Sequence, residues 1–250
     1  MNLVEITVKT ALVKSRIPGV SYAVNPYLGC SHACRYCYAV FMRKYAKHQP
    51  APPWGQFVEV KTNIAAVLRA ELARKKVTSR AMLSSVCDPY QPVEGRYKLT
   101  RECILALKEF GWGIDILTKS PLVIRDLDIL ASSIDLSVGF SIPTDDDAVR
   151  AAIEPEAPPI ADRIAALQRL HAAGVRTWVF VAPMVPMNAA RLCELIAPYV
   201  DEVLTDRLNY QGQVAALFAR HNWTKALTDE YAEATRATIA AYFGDKASRG

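Results

Sequence analysis

The chain has no apolar run long enough to cross a bilayer. Its longest lies around Trp178 to Val185, far short of the roughly 20 residues that a spanning helix needs. The first residues lack the apolar core of a secretory signal and carry Glu5, Lys9 and Lys14 instead. These two absences give the expectation of a cytoplasmic protein with no membrane partner. Internal repeats, low-complexity tracts and linker-like segments are also missing, which argues against a string of small modules. A large excess of charge of one sign is also missing. A net charge of +5 permits contact with nucleic acid without demanding it. In the reducing compartment thus expected, six cysteines read as metal ligands or free thiols and not as a disulfide framework. With 51% hydrophobic residues over 250 positions, the chain can bury one sizeable core, as one large domain or one domain with a small appendage.

Three of the six cysteines are crowded into Asn25-Pro26-Tyr27-Leu28-Gly29-Cys30-Ser31-His32-Ala33-Cys34-Arg35-Tyr36-Cys37-Tyr38. Three residues separate Cys30 from Cys34 and two separate Cys34 from Cys37, so a loop can bring all three thiolates to one small inorganic centre. Four-iron clusters are normally held by four thiolates. No fourth cysteine is local here, because Cys87, Cys103 and Cys193 are scattered singly. Three thiolates leave one iron open to a substrate or cofactor, which suits chemistry better than electron storage. A structural zinc site is the plainer reading, with His32 as fourth ligand. It is disfavoured because closed zinc sites usually pair ligands from two separated loops. Three buried free thiols are disfavoured by Gly29 and the polar residues between the cysteines, which indicate an exposed loop.

Residues 1–20 read as an extended arm. Strands are expected over 21–24, 81–86, 113–117, 134–142, 176–181 and 202–205, with 57–61 either a strand or a connector. Between them lie helical patterns over 39–48, 63–75, 100–110, 123–131, 147–153, 159–174 and 189–199. Asn63 and Thr100 stand at N-caps, and Gly111 and Gly174 at C-termini. Residues 213–243 read as two helices parted near Asn222. In 218–225, Phe218 and Trp223 are expected to pack inward, the other reading being a base-stacking surface. Six short strands alternating with amphipathic helices predict a parallel sheet with right-handed crossovers. Periodicity alone leaves a doubly wound sheet and an incomplete barrel equally open. In either case the distinctive short motifs fall at C-terminal strand ends, where ligands gather. These are the cysteine loop, 84–94 (SSVCDPYQPVE), 118–120 (TKS), Ser141 in 139–144 and 182–186 (APMVP).

The cysteine spacing, with the aromatic Tyr36 just before the last cysteine, resembles the radical S-adenosylmethionine superfamily. The longer string NPYLGCSHACRYCYA is more narrowly similar to its branch containing spore photoproduct lyase, a DNA-repair group. DPYQPVE, LTKSPLVIRDLDIL and 154–159 (EPEAPP) share that likeness, which spans about residues 20 to 200. The resemblance implies an α/β fold, a partial (β/α)6 TIM-like barrel over 21–208, with the arm before it and a helical extension over 209–250. It implies a [4Fe-4S] cluster on Cys30, Cys34 and Cys37, and S-adenosyl-L-methionine on the open iron. One electron then cleaves the sulfonium to give a 5'-deoxyadenosyl radical that abstracts hydrogen, the electron coming from a flavodoxin- or ferredoxin-type donor. Tyr36 is implied near the adenine, Asp88 near the methionyl group, and Lys119 and Ser141 at positions that hold the cofactor. Read alone, Lys119 is equally a solvated loop lysine.

In the lyases a cysteine returns hydrogen to the opened thymine and tyrosines relay it. Tyr38 matches one such tyrosine. The donor position, three residues before Asp88, is filled here by Ser85, and the cysteine lies instead at Cys87. Residues two apart on a strand face one side, so Cys87 is either a donor or a buried inert thiol; Cys103 and Cys193, on apolar helix faces, read as the latter. The expected activity is radical S-adenosylmethionine chemistry, with lyase-like carbon–carbon cleavage of damaged DNA as the leading substrate reading. The lesion-binding hairpin of those lyases is not found. The same chemistry on a peptide, RNA or small metabolite is the first alternative, and a non-catalytic zinc or nucleic-acid-binding module is the second.

Overall fold

The computed structural model describes residues 1–133 and 135–249. Its strands are β1 (Asn2–Ile6), β2 (Leu12–Lys14), β3 (Tyr22–Val24), β4 (Tyr27–Leu28), β5 (Phe57–Lys61) and β6 (Arg80–Leu83). They continue with β7 (Gly113–Thr118), β8 (Leu136–Ser141), β9 (Arg176–Val181), β10 (Glu202–Thr205) and β11 (Ala247–Arg249). The main sheet runs β11-β10-β9-β8-β7-β6-β3-β2. All its pairs are parallel except β2 on β3. Its six middle strands, β3 and β6 to β10, are the six expected from the sequence, in sequence order. The two end strands do not pair with each other, so the α/β barrel is partial. Ile134, where the fourth expected strand begins, lies outside the described residues.

Helices cover the outside through narrow apolar stripes. Ile64, Leu68 and Leu72 are the buried positions of helix Ile64–Leu72, four apart. In Leu99–Glu109 the buried set includes Leu99, Cys103, Ile104 and Leu107. Each fully buried leucine or isoleucine contributes about 1.5–3 kcal/mol. Strand β8 is buried at every position, as a central parallel strand covered on both faces must be.

Three regions differ from the sequence expectation. Residues 1–20 form two strands: β1 joins β5 and β4 in a separate three-stranded sheet, and β2 lies antiparallel on the edge of β3. Residues 209–249 are not helical throughout, since β11 extends the main sheet beside β10. The strand expected over 81–86 stops at Leu83, because Ser84 turns to φ +64°. The side chain of Asn25 then takes the next two backbone N–H groups, those of Ser85 and Val86, at 3.0 and 3.1 Å. Residues 84–88 are therefore a loop, and strand alternation does not decide where Cys87 points.

Candidate active site

The C-terminal ends of β3 and β6 to β10 open on one cavity of about 530 Å³. All nine residues singled out from the sequence line it. Cys30, Cys34, Tyr36 and Cys37 come from the loop after β4, Tyr38 from the start of the short helix that ends it, Cys87 and Asp88 from the loop after β6, Lys119 from the end of β7, and Ser141 from the end of β8. Residues Asp206 to Tyr210, after β10, also reach it. The sequence reading had assigned this last strand end no motif.

The cysteine loop is held from both sides. Gly29 has φ +91°, and a Cβ there would stand 2.3 Å from the carbonyl oxygen of Phe57, so only glycine lets the chain pass beneath β5 to Cys30. Gln91 braces the loop by donating to the Gly29 carbonyl at 3.1 Å and accepting from the Ser31 N–H at 3.0 Å. Cys30 is buried, and Cys34 and Cys37 are half-buried. Burial pushes all three thiols up. The nearby backbone N–H of His32 opposes this rise at Cys30, and the N–H of Ala39 and the Trp54 indole oppose it at Cys37. Such donors favour thiolates and tune sulfur-bound clusters. Ser31 Oγ, between the first two cysteines, is buried with no hydrogen-bond partner among the described residues. The donor set thus fits a cluster held by three thiolates.

His32, the fourth ligand of the zinc reading, has a buried ring that faces Asp88, with Nδ1 at 3.4 Å from Oδ2. Among the described residues, no three His, Cys, Asp or Glu side chains are grouped as they would be about one ion.

On the other side of the cavity lies a buried charge network. Lys119 Nζ donates to Ser141 Oγ at 2.9 Å and stands 3.6 Å from Glu154 Oε1 and 5.9 Å from the centre of the Tyr36 ring. Burial works against the Lys119 charge, but Glu154, Cys34 and Asp88 together outweigh it and hold the ammonium above the ordinary lysine range. Glu154 is fully buried, accepts from the Tyr36 hydroxyl and pairs with Arg163, itself 0% exposed. Burial alone would raise the Glu154 carboxyl; Lys119 and Arg163 bring it below the usual range. Arg163 also donates to the Ser141 carbonyl at 2.9 Å and to the Pro158 carbonyl. Lys119 is therefore no solvated loop lysine. Sequence reasoning missed Glu154 and Arg163 as parts of the site. One signal was present: Arg163 shares a helix stripe with Ile160, Leu167 and Leu170, where an arginine must find a partner.

Asp88 reaches the cavity edge with its carboxylate occupied. It accepts from Tyr90 N–H at 2.8 Å, Thr118 Oγ1 at 2.7 Å and Lys119 N–H at 2.8 Å. Burial opposes its charge, yet His32 and these donors hold it down at about 2. It ties the loop after β6 to the end of β7 and so fixes where Lys119 starts. Cys87 Sγ lies 3.4 Å from both the Tyr27 carbonyl and Ser84 Oγ. Burial pushes it up to about 11, so the thiol keeps its hydrogen near neutrality. Tyr38 donates its hydroxyl to the carbonyl of Ser85 and lines the same cavity as Cys87. Cys103 and Cys193 are buried on helix faces away from the cavity. Phe218 is buried, with Trp223 edge-on to it at 5.8 Å, so that pair packs inward.

A partial parallel barrel with a three-cysteine loop and a cation at its C-terminal mouth defines a class of iron–sulfur, cofactor-dependent enzyme. The chain belongs to the radical SAM superfamily, whose family profile matches residues 24–197. It is 34% identical over 186 residues to an uncharacterized protein of Methanocaldococcus jannaschii, covering 74% of this chain and 69% of that one. An uncharacterized protein of Mycobacterium tuberculosis is 38% identical over 191 residues, and there the match covers 73% of this chain but only 56% of the relative. Among solved structures, a cysteine-to-serine variant of spore photoproduct lyase matches 99% of this chain and 81% of its own, with TM-score 0.68 and 19% identity. Streptococcus suis SuiB bound to the precursor peptide SuiA matches 91% of this chain and 48% of its own, with TM-score 0.58 and 14% identity. These structural likenesses show the fold. No helix among the described residues is long and apolar enough to cross a membrane.

Proposed function

We propose that this radical SAM enzyme opens a pyrimidine photoproduct in DNA, with Cys87 returning hydrogen to the product and Tyr38 replenishing Cys87. The observation that carries the reading is the meeting of Cys87 and Tyr38 in the cavity of the three loop cysteines, with the Tyr38 hydroxyl on the Ser85 carbonyl. The whole-chain likeness in fold to spore photoproduct lyase supports it.

Cys30, Cys34 and Cys37 would hold the cluster, while Lys119 and Ser141 would hold S-adenosylmethionine with Tyr36 near its adenine. When bound, the two groups supply one-electron cleavage of the sulfonium and hence a radical able to abstract hydrogen. The chain's own residues orient and shield that event. Glu154 and Arg163 fix the Lys119 ammonium and the Tyr36 ring, and the apolar walls keep water from the radical. After the substrate carbon–carbon bond opens, the Cys87 S–H gives a hydrogen atom to the remaining carbon radical. The thiyl left behind takes one from the Tyr38 O–H. The hydrogen first removed from substrate finally restores Tyr38, so the sum is bond cleavage without net oxidation.

The same chemistry on a peptide, RNA or small metabolite is the second reading. Ser85 favours it, because serine has no comparably weak bond to donate and stands where the lyase pattern has its cysteine. Anaerobic reconstitution, reduction and product mass spectrometry on a dinucleoside photoproduct and on damaged duplex DNA separate the two. Restored thymines are expected. An enzyme that takes up the cluster and cleaves S-adenosylmethionine, yet leaves both substrates untouched, sinks the photoproduct reading.

A further inference from the structure

Charge is unevenly spread along this chain. From Ile6 to Val58 there is no aspartate or glutamate, yet there are seven lysines and arginines. The segment carries +7, so the remainder, by difference from +5, carries −2. Four of the seven, Arg35, Arg43, Lys44 and Lys47, come during or just after the cysteine loop, and all four are exposed. The short helix Tyr38–Tyr45 sets aromatic rings among them, with Phe41 48% and Tyr45 58% exposed. Lys44 Nζ lies 5.9 Å and 4.9 Å from the centres of these two rings. Large apolar side chains left in water beside unopposed positive charge mark a docking surface for an acidic partner.

The inner side of this surface leads to the cysteines. Met42 packs with Trp54 against Leu28, Ala46, Ala51 and Phe57. Arg43 ties the helix to the Ala51 and Pro52 carbonyls. The half-buried Trp54 in turn lies close enough to Cys37 to oppose the rise of its thiol. One indole therefore stands between the exposed face and a loop thiol. The cavity takes its lining from Cys37, Tyr38 and Ala39 but from nothing between 40 and 58. Phe41, Lys44 and Tyr45 therefore lie outside the cavity, on the outer side of the cysteine loop, where a protein delivering electrons to that loop would dock.

We infer that the face formed by Phe41, Lys44, Tyr45 and Trp54 docks an acidic one-electron carrier protein of flavodoxin type. The inference rests on Cys30, Cys34 and Cys37 being the cluster ligands. The carrier loses one electron and the cluster gains it, with no bond made or broken and no proton required. The mixture of apolar rings and lysine suits a transient complex, in which charge steers encounter and the rings hold it briefly.

The test compares the unmutated protein with Lys44→Glu and with Phe41→Ala/Tyr45→Ala, all reconstituted without oxygen. The probes are an acidic bacterial flavodoxin and an undamaged duplex oligonucleotide. Titration calorimetry at low salt should show flavodoxin binding roughly 10-fold weaker for Lys44→Glu, with the gap closing as salt screens the charge. Cluster reduction by flavodoxin, followed by stopped-flow absorbance, should slow to a similar degree, while reduction by dithionite stays unchanged. Unchanged flavodoxin affinity and reduction rate in both variants would overturn the proposal, as would a loss of duplex binding with flavodoxin binding intact. Failure of the unmutated chain to take up iron and sulfide would instead sink the ligand assignment, and this inference with it.

Discussion

Removing Arg163 should be among the costliest single changes in the molecule. Its side chain is 0% exposed and donates to Glu154 Oε2, to the Ser141 carbonyl and twice to the Pro158 carbonyl. Arg163→Met keeps the volume and apolar stem but leaves the Glu154 carboxylate buried with only Lys119, at 3.6 Å, and the Tyr36 hydroxyl. Breaking a buried pair from one side costs about 3–5 kcal/mol. At about 2–4 °C per kcal/mol for a chain of this size, melting should fall by roughly 6–20 °C. Glu154→Gln in the Arg163→Met background removes the stranded charge. It should recover at least about 1 kcal/mol relative to the sum of the single changes, because the two residues share one network. The assay is thermal unfolding by circular dichroism of all four proteins under argon. A single Arg163→Met variant melting within about 2 °C of the parent, or a strictly additive cycle, would refute this view of the network; about 0.5 kcal/mol is the usual scatter for independent sites.

Replacing Cys30, Cys34 and Cys37 together by alanine should abolish iron and sulfide uptake and the brown absorbance, and retention of both would show that the cluster sits elsewhere. Lys119→Ala and Ser141→Ala should keep the cluster and weaken S-adenosylmethionine. Loss of a charged hydrogen bond costs about 1.5–3 kcal/mol, or roughly 10- to 150-fold in affinity, read by 5'-deoxyadenosine formation at subsaturating cofactor. Cys87→Ala should still cleave S-adenosylmethionine but divert the product into side reactions, and Tyr38→Phe should spoil its regeneration. A cysteine that merely lines the cavity would alter cofactor affinity and leave product identity alone, a difference visible by mass spectrometry.

What the sequence determined by itself was local. The spacing of Cys30, Cys34 and Cys37 and the alternation of short apolar strands with striped helices involve only near neighbours. They were enough to anticipate the six parallel strands and the strand ends on which the cavity opens. Long-range pairing was decided only by the tertiary structure. Tyr36 meets Glu154 across 118 positions, and Gln91 clasps Gly29 across 62. No periodicity records such a contact: a lone buried carboxylate is costly, and Glu154 is tolerated only because Arg163 and the distant Lys119 pair with it. The stop of β6 at Ser84 likewise depends on Asn25, 60 residues earlier, capturing the Ser85 N–H. Strand β11 was illegible in the tail for the same reason. Three residues have little strand preference of their own, and they become a strand because β10 offers them an unpaired edge.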